Sequence, residues 1–297
     1  MQHKAGFINI LGKPNAGKST LLNALLGEKL AIMSRRAQTT RHRILGMIND
    51  AEHQLIFSDT PGVIDPAYKL QEKMMHVVEE SLSDGDVYVL VADAFSQKGL
   101  ENTLEFQESF QQRMLALEEP LILFLNKTET LSNDEKALRM EAAKERFPKA
   151  LVICGSALQN QGLESLLGHI KELLPEHPPY FEKDQFTDKN LRFIASEYIR
   201  EQLLNQYRQE VPYHCEVVIV EYKEAPEIDR IRAEIHVGRE SQKGILIGKG
   251  GLALKKTGTE ARKNLEAFLG KKVYLEIQVK VKPNWREDEQ SLKWLGY

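Results

Sequence analysis

The most constraining feature of this sequence is the octapeptide Gly12-Lys13-Pro14-Asn15-Ala16-Gly17-Lys18-Ser19, set between the apolar run Phe7–Leu11 and the helical segment Thr20–Leu26. It fits the pattern G-x-x-x-x-G-K-[ST] in the strand–loop–helix setting that gives the pattern its meaning. Glycines let successive backbone N–H groups curl toward one anion, and the start of the following helix adds positive potential. Lys18 has the reach to meet β- and γ-phosphates, and the Ser19 hydroxyl suits Mg2+. A chance glycine-rich turn is the bland alternative, and the flanking elements weigh against it.

A strand that opens on a helix in this way predicts an α/β layer structure, and the next stretch of chain supplies one. Strands are expected at Phe7–Leu11, Ile44–Ile48, Gln54–Ser58, Val87–Ala92, Leu121–Leu125 and Leu151–Cys154. Helical spacing is read in Thr20–Leu26, Leu100–Leu117, Asp134–Arg146 and Leu163–Leu174. Near-continuous apolar strands separated by helices point to a mostly parallel sheet covered on both faces. Asn49-Asp50 between the second and third strands predicts one antiparallel hairpin. No apolar run approaches the roughly eighteen residues of a membrane-spanning helix, and Met1–Leu11 reads as a first strand rather than a signal peptide. Cys154 and Cys215 lie in no metal-ligand spacing and are expected as reduced cysteines packed in strands.

Three prolines within Pro175–Pro179 cannot continue a helix, so Pro175–Asp184 is read as a linker. The expected division is residues 1–174, a linker over 175–187, and a second domain over 188–297. After the linker the rhythm becomes helix (Lys189–Asn205), strand (Glu216–Tyr222), strand (Arg230–Val237), glycine-rich loop, helix (Leu252–Leu269) and strand (Val273–Val281). The chain carries a net charge of −3, yet Arg239–Lys282 alone carries +7 and the remainder −10. A concentrated basic region in a mildly acidic chain is the electrostatic footprint of a nucleic-acid contact.

Three further segments, each at the end of an expected strand, sharpen the reading of the first domain. They are Asp59-Thr60-Pro61-Gly62, Asn126-Lys127-Thr128-Glu129 and Ser156-Ala157-Leu158. With Gln38-Thr39-Thr40-Arg41 between the loop helix and the next strand, their order resembles the translation-factor-like GTPases. Each is weak by itself; the order and spacing carry the resemblance. It implies GTP or GDP as ligand, with Mg2+ held by Ser19, Thr40 and Asp59, and Thr40 favoured over Thr39. It also implies that Gly62 turns its N–H to the γ-phosphate, that Asn126, Lys127 and Glu129 read guanine, and that a backbone N–H of Ser156–Leu158 reads its carbonyl. Nucleotide contacts are carried over to Gly12 through Ser19, then Thr20, Asp59, Thr60, Pro61 and Gly62. Two departures stand out: Glu129 replaces the usual aspartate, and Val63 sits where Ras-like enzymes place a water-orienting glutamine. Slow hydrolysis is therefore expected, centred on Lys18, Thr40, Gly62 and Asn15. Asn15 resembles the asparagine that in some relatives holds K+ beside the phosphates, against the reading of a loop-stabilising amide.

In the second domain, Gly244–Gly251 runs into a helix bearing Lys255, Lys256, Arg262 and Lys263. The G-x-x-G of Gly248-Lys249-Gly250-Gly251, preceded by Ile247, is similar to the KH loop that lies against the sugar-phosphate of unstacked RNA. A helix and two strands ahead of it predict an α+β, type II KH domain. As a whole the chain resembles the Era family of bacterial GTPases. That resemblance implies binding to the 3′ region of 16S ribosomal RNA, a role in small-subunit maturation, no DNA partner and a monomer. It further implies a cytoplasmic location with peripheral contact to the cell membrane. A nucleotide-loaded RNA adaptor without turnover and a P-loop kinase are the competing readings, and Asp59–Gly62 with Asn126-Lys127 speaks against the kinase.

Overall fold

The structure, a computed structural model, describes residues 3–34, 36, 38–95 and 104–297. They form two compact units that do not follow the chain in sequence. The first takes residues up to Ala31 together with Thr40–Pro66 and Lys73–Asp188; the second takes Ile32–Thr39, Ala67–Glu72 and Lys189–Tyr297.

The first unit is a six-stranded sheet of order β2-β3-β1-β4-β5-β6. Its strands are β1 (Lys4–Leu11), β2 (Ile44–Asn49), β3 (His53–Asp59), β4 (Val87–Asp93), β5 (Leu121–Asn126) and β6 (Leu151–Cys154). Only β2 runs antiparallel, pairing Ile44 with Asp59 through Asn49 with Gln54, as the hairpin reading expected. β4 and β5 are buried almost without interruption, the signature of strands covered on both faces. The helices are α1 (Lys18–Leu26), α2 (Lys69–Ser81, of which residues 69–72 cluster with the second unit), α3 (Glu108–Leu115), α4 (Asn133–Arg146) and α5 (Leu163–Leu173). One core layer joins Leu90 and Leu123 of the sheet to Met114 of α3 and Phe147 beyond α4.

Several expectations change here. The helix expected over Leu100–Leu117 is found as α3 only; residues 100–103 lie outside the described residues. α2 was not anticipated. Cys154 ends β6 half-buried, whereas the buried Cys215 precedes its strand and bonds the Val211 carbonyl. Pro175–Asp184, expected as a spacer, lies along the sheet of the first unit. Gln54, fully buried, accepts from the Tyr180 and Phe181 N–H groups at 2.7 and 3.0 Å. The Phe7 ring meets Tyr180 edge-on at 5.1 Å. Prolines excluded the helix but left the chain free to be pinned by side chains.

The second unit has a three-stranded sheet, β7 (Glu216–Lys223), β8 (Ile228–Val237) and β9 (Lys272–Val281), in that spatial order. β7 and β8 are antiparallel, with a bulge between Ile219 and Glu221, while β8 and β9 are parallel. The helices are α6 (Leu191–Gln206), α7 (Glu240–Ile247), α8 (Leu252–Leu269) and α9 (Glu289–Trp294). Burial alternates along β8, so one face is covered, and Ile199, Leu203 and Ala261 pack there against Ile235 and Val279. The order helix–strand–strand–helix–helix–strand–helix differs from expectation at two places, the terminal helix α9 and the helix ahead of the glycine loop. Gly244–Ile247, read as loop, belongs to α7, because Gln242 and Leu246 are buried and draw the segment into a helix.

Candidate functional site

In the first unit, four connections at the C-terminal ends of strands bring the nucleotide motifs together. The register sets Asp59 beside Ile10 and Asn126 beside Asp93, so these carboxylate and amide groups flank the loop that follows β1. Thr60 ties that edge down, its hydroxyl donating to the Ile10 carbonyl at 2.8 Å. Gly17 sits at φ 103, where a Cβ would stand 2.1 Å from Asn126 Nδ2. A Cβ on Gly62 would meet the Pro14 backbone nitrogen at 2.8 Å, so glycine is the residue that fits.

Ser19 and Thr40 both donate their hydroxyls to Asp59 Oδ2, at 2.7 and 3.0 Å, and lie 2.9 Å apart. Thr39 turns away and donates to the Arg36 carbonyl. Two hydroxyls and one carboxylate are hard oxygen donors, a partial set that suits Mg2+ completed by phosphate and water. Lys18 is 6% exposed, and its ammonium reaches the Gly12 and Lys13 carbonyls, each at 3.1 Å. Burial pushes its amine down to about 8, against the opposing pull of Asp59. Phosphates bind the charged form and hold it charged, so binding takes up a proton wherever free Lys18 is neutral. GDP affinity is therefore expected to stay flat below pH ~7 and fall about tenfold per unit above pH ~8. Titration with a fluorescent GDP across that range checks this.

Asn126 braces two loops against each other. Its amide donates to the Ala16 carbonyl at 2.8 Å and its oxygen accepts the Ala157 N–H at 2.9 Å. Lys127, at φ 65, reaches the Asn15 carbonyl at 2.7 Å and Asp93 at 2.6 Å. Ser156 gives its N–H to the Gln161 carbonyl, so of the three N–H groups in Ser156–Leu158 that of Leu158 is left for a base carbonyl among the described residues. Glu129 Oε2 is buried with no hydrogen-bond partner, and a guanine edge offers the donors it lacks. Asn15 is exposed at φ 63, a left-handed conformation that asparagine tolerates. Val63 packs against the core and donates its N–H to the Gly12 carbonyl. Thr20 lies in the first turn of α1 and Lys13 stands 5.6 Å from the Phe106 ring centroid.

In the second unit, Gly248, Gly250 and Gly251 all have positive φ (69°, 61° and 77°) between α7 and α8. Ile247 closes α7 and is partly buried against the core. Lys249, Lys255 and Lys256 are exposed, with no ion-pair partner among the described residues, whereas Arg262 and Lys263 are paired with Glu266 and Glu260. The usable positive charge thus gathers at the loop and the start of α8. Beside it, Leu254 and Gly258 of α8 and Leu275 and Ile277 of β9 wall a groove of about 380 Å³. The β9 wall escaped sequence reading, since Leu275 and Ile277 look like ordinary strand residues until α8 leaves them uncovered.

Comparison with known proteins follows the same division. A model described as "50S ribosome-binding GTPase" matches residues 7–127, and one for the KH domain matches residues 210–286. GTPase Era of Nitrosomonas eutropha is 44% identical, aligning 99% of this chain with 98% of that protein. GTPase Era of Ruminiclostridium cellulolyticum is 39% identical, aligning 100% with 98%. Among solved structures, Era in complex with MgGDPNP and nucleotides 1506–1542 of 16S ribosomal RNA superimposes with a TM-score of 0.90 at 38% identity, covering 99% of both chains. A variant of Aquifex aeolicus Era bound to GDP·AlF4− gives 0.90 at 37% identity, with 99% coverage of both.

Proposed function

The chain belongs to the Era family of GTPases, and from that membership we propose that it is a Mg2+-dependent molecular switch that grips the 3′ region of 16S ribosomal RNA and serves small-subunit assembly. GTP hydrolysis is the activity of the family. The observation that carries the switch reading is the Ser19–Thr40–Asp59 set beside a buried Lys18, because Thr40 comes from a segment separate from the nucleotide loop.

When bound, Mg2+ neutralises charge on the β- and γ-phosphates. The loop Gly12–Ser19 orients the phosphates, Lys18 meets them as a cation, and Gly62 is placed to give its N–H without a side chain in the way. Asn126, Lys127 and Glu129 hold guanine, with the Leu158 N–H at its carbonyl. Val63 offers no polar atom to order water, so turnover by the chain alone is slow. Phosphate release measured with and without RNA tests the reading; a chain that binds both ligands and releases no phosphate in either condition is an adaptor, not a switch. Asn15 adds K+ to the proposal, and replacing Na+ by K+ is expected to speed hydrolysis. A rate indifferent to the cation removes Asn15 from the mechanism.

Guanine selectivity rests on Glu129. Glu129→Ala is expected to weaken GTP binding by about 1–3 kcal/mol, since the base donors lose their acceptor, while Glu129→Asp leaves it unchanged or tighter. Competition titration decides, and equal displacement by ATP and GTP refutes the assignment.

The groove beside Gly248–Gly251 takes unstacked bases, with Lys249, Lys255 and Lys256 at phosphates. Part of this proposal, carried over from the family, is a monomer in the cytoplasm with its cationic face also available to an anionic membrane; co-sedimentation with phosphatidylglycerol vesicles checks that contact. No helix among the described residues is long and apolar enough to cross a membrane.

A further inference from the structure

The second unit contains a buried hydroxyl that neither the nucleotide loop nor the RNA groove requires. Tyr207 caps α6 at its C-terminal end and is 7% exposed. Its hydroxyl donates to the Leu246 carbonyl in the last turn of α7, at 2.8 Å. The same oxygen lies 2.9 Å from the hydroxyl of Thr257 on α8, a residue with no exposed surface. Leu246 and Thr257 stand on opposite sides of Gly248–Gly251. A loop with three glycines at positive φ sets no helix-to-helix angle of its own, because glycine passes readily between conformations. The angle is left to whatever holds both helices, and among the described residues the Tyr207 hydroxyl is the side-chain group bonded to each. Burial raises its pKa above the ordinary tyrosine value, so it stays a donor at neutral pH.

The backbone of Tyr207 faces a different part of the same unit. Its carbonyl accepts a hydrogen bond from the Arg36 guanidinium, which also reaches the Gln209 carbonyl at 3.3 Å. Arg36 belongs to Ile32–Thr39, and α6 holds that segment near both ends. Glu201 accepts the Met33 N–H at 3.1 Å, and the buried Arg200, braced by Glu197 at 2.6 Å, donates to the Thr39 carbonyl. The next residue in the chain is Thr40, one of the three oxygen donors beside Lys18.

We infer that Tyr207 is a positioning residue for RNA recognition: its hydroxyl sets the angle between α7 and α8 that shapes Gly248–Gly251. The inference rests on the RNA-binding reading above.

The test measures anisotropy of a labelled single-stranded RNA copying the 3′ end of 16S ribosomal RNA, with GDP and with a non-hydrolysable GTP analogue. Tyr207→Phe keeps the ring and removes the hydroxyl, leaving the buried Leu246 carbonyl without its donor. Affinity is expected to fall about tenfold in both states, with an unchanged salt slope because the phosphate-facing lysines remain. Thr257→Val, which keeps the shape, should give the same loss if Tyr207→Phe fails to fold. A Tyr207→Phe or Thr257→Val chain that binds as tightly as the parent overturns the inference. A parent that binds no RNA overturns the functional reading and this inference together.

Discussion

Lys18→Ala is expected to remove nucleotide binding over the concentrations at which the parent saturates. The lysine is 6% exposed, and its cation is held by the Gly12 and Lys13 carbonyls, which in the variant lose their donor. Truncating one partner of a buried charged contact costs about 3–5 kcal/mol, roughly two to four orders of magnitude in affinity. The loss should be larger for GTP than for GDP, because the γ-phosphate adds charge on the side Lys18 faces. The fold should survive, since removing a buried amine also removes the desolvation that depresses its pKa. Titration calorimetry with both nucleotides, beside a thermal melt, checks the result. Unchanged GTP affinity in a folded variant would sink the site assignment.

The second large effect is expected at the glycine loop. A chain carrying Lys249→Asp and Gly250→Asp changes the local charge by three units where phosphates are to lie. At about 1 kcal/mol per unit for partly solvated charges, RNA affinity should fall by roughly two orders of magnitude. Folding should be spared, because no atom lies within 4 Å of a Cβ at Gly250 and its φ of 61° is one that aspartate tolerates. GTP binding should remain, since Lys249 and Gly250 belong to the second unit. RNA affinity at several salt concentrations, beside GTP affinity, separates this outcome from misfolding. Undiminished RNA binding would move the interface away from the loop.

The candidate binding motifs stand out in the sequence because each needs a residue type at a fixed place. Gly12–Ser19, Asp59–Gly62, Asn126–Glu129 and Gly248–Gly251 work through glycine conformation, short polar side chains and strand ends, all of which are local properties. What the pattern misjudged depended on burial. Gly244 reads as a helix breaker, and α7 forms around it because Gln242 and Leu246 are buried in the core. The segment of α2 does carry a helical period, with Leu70, Met74 and Val78 buried at four-residue spacing, and the reading passed over it. Pro175–Asp184 looked like a free spacer, and its attachment depends on Gln54, a buried polar residue whose amide finds partners more than a hundred residues away.

Sequence alone thus determined the two binding chemistries and the mostly parallel sheet of the first unit, since strand burial, loop glycines and charge clustering are written in residue identity and spacing; the mixed pairing of the second sheet came from the structure. Only the tertiary structure decided that Thr40 rather than Thr39 joins Ser19 and Asp59. Both threonines have the same chemistry, and the choice depends on which hydroxyl the β2–β3 register and the Arg36 carbonyl turn toward Asp59. It alone decided that Ile32–Thr39 clusters with the C-terminal unit, where Arg36 and Arg200 donate and Glu201 accepts single hydrogen bonds, and such long-range bonds leave no period in the sequence.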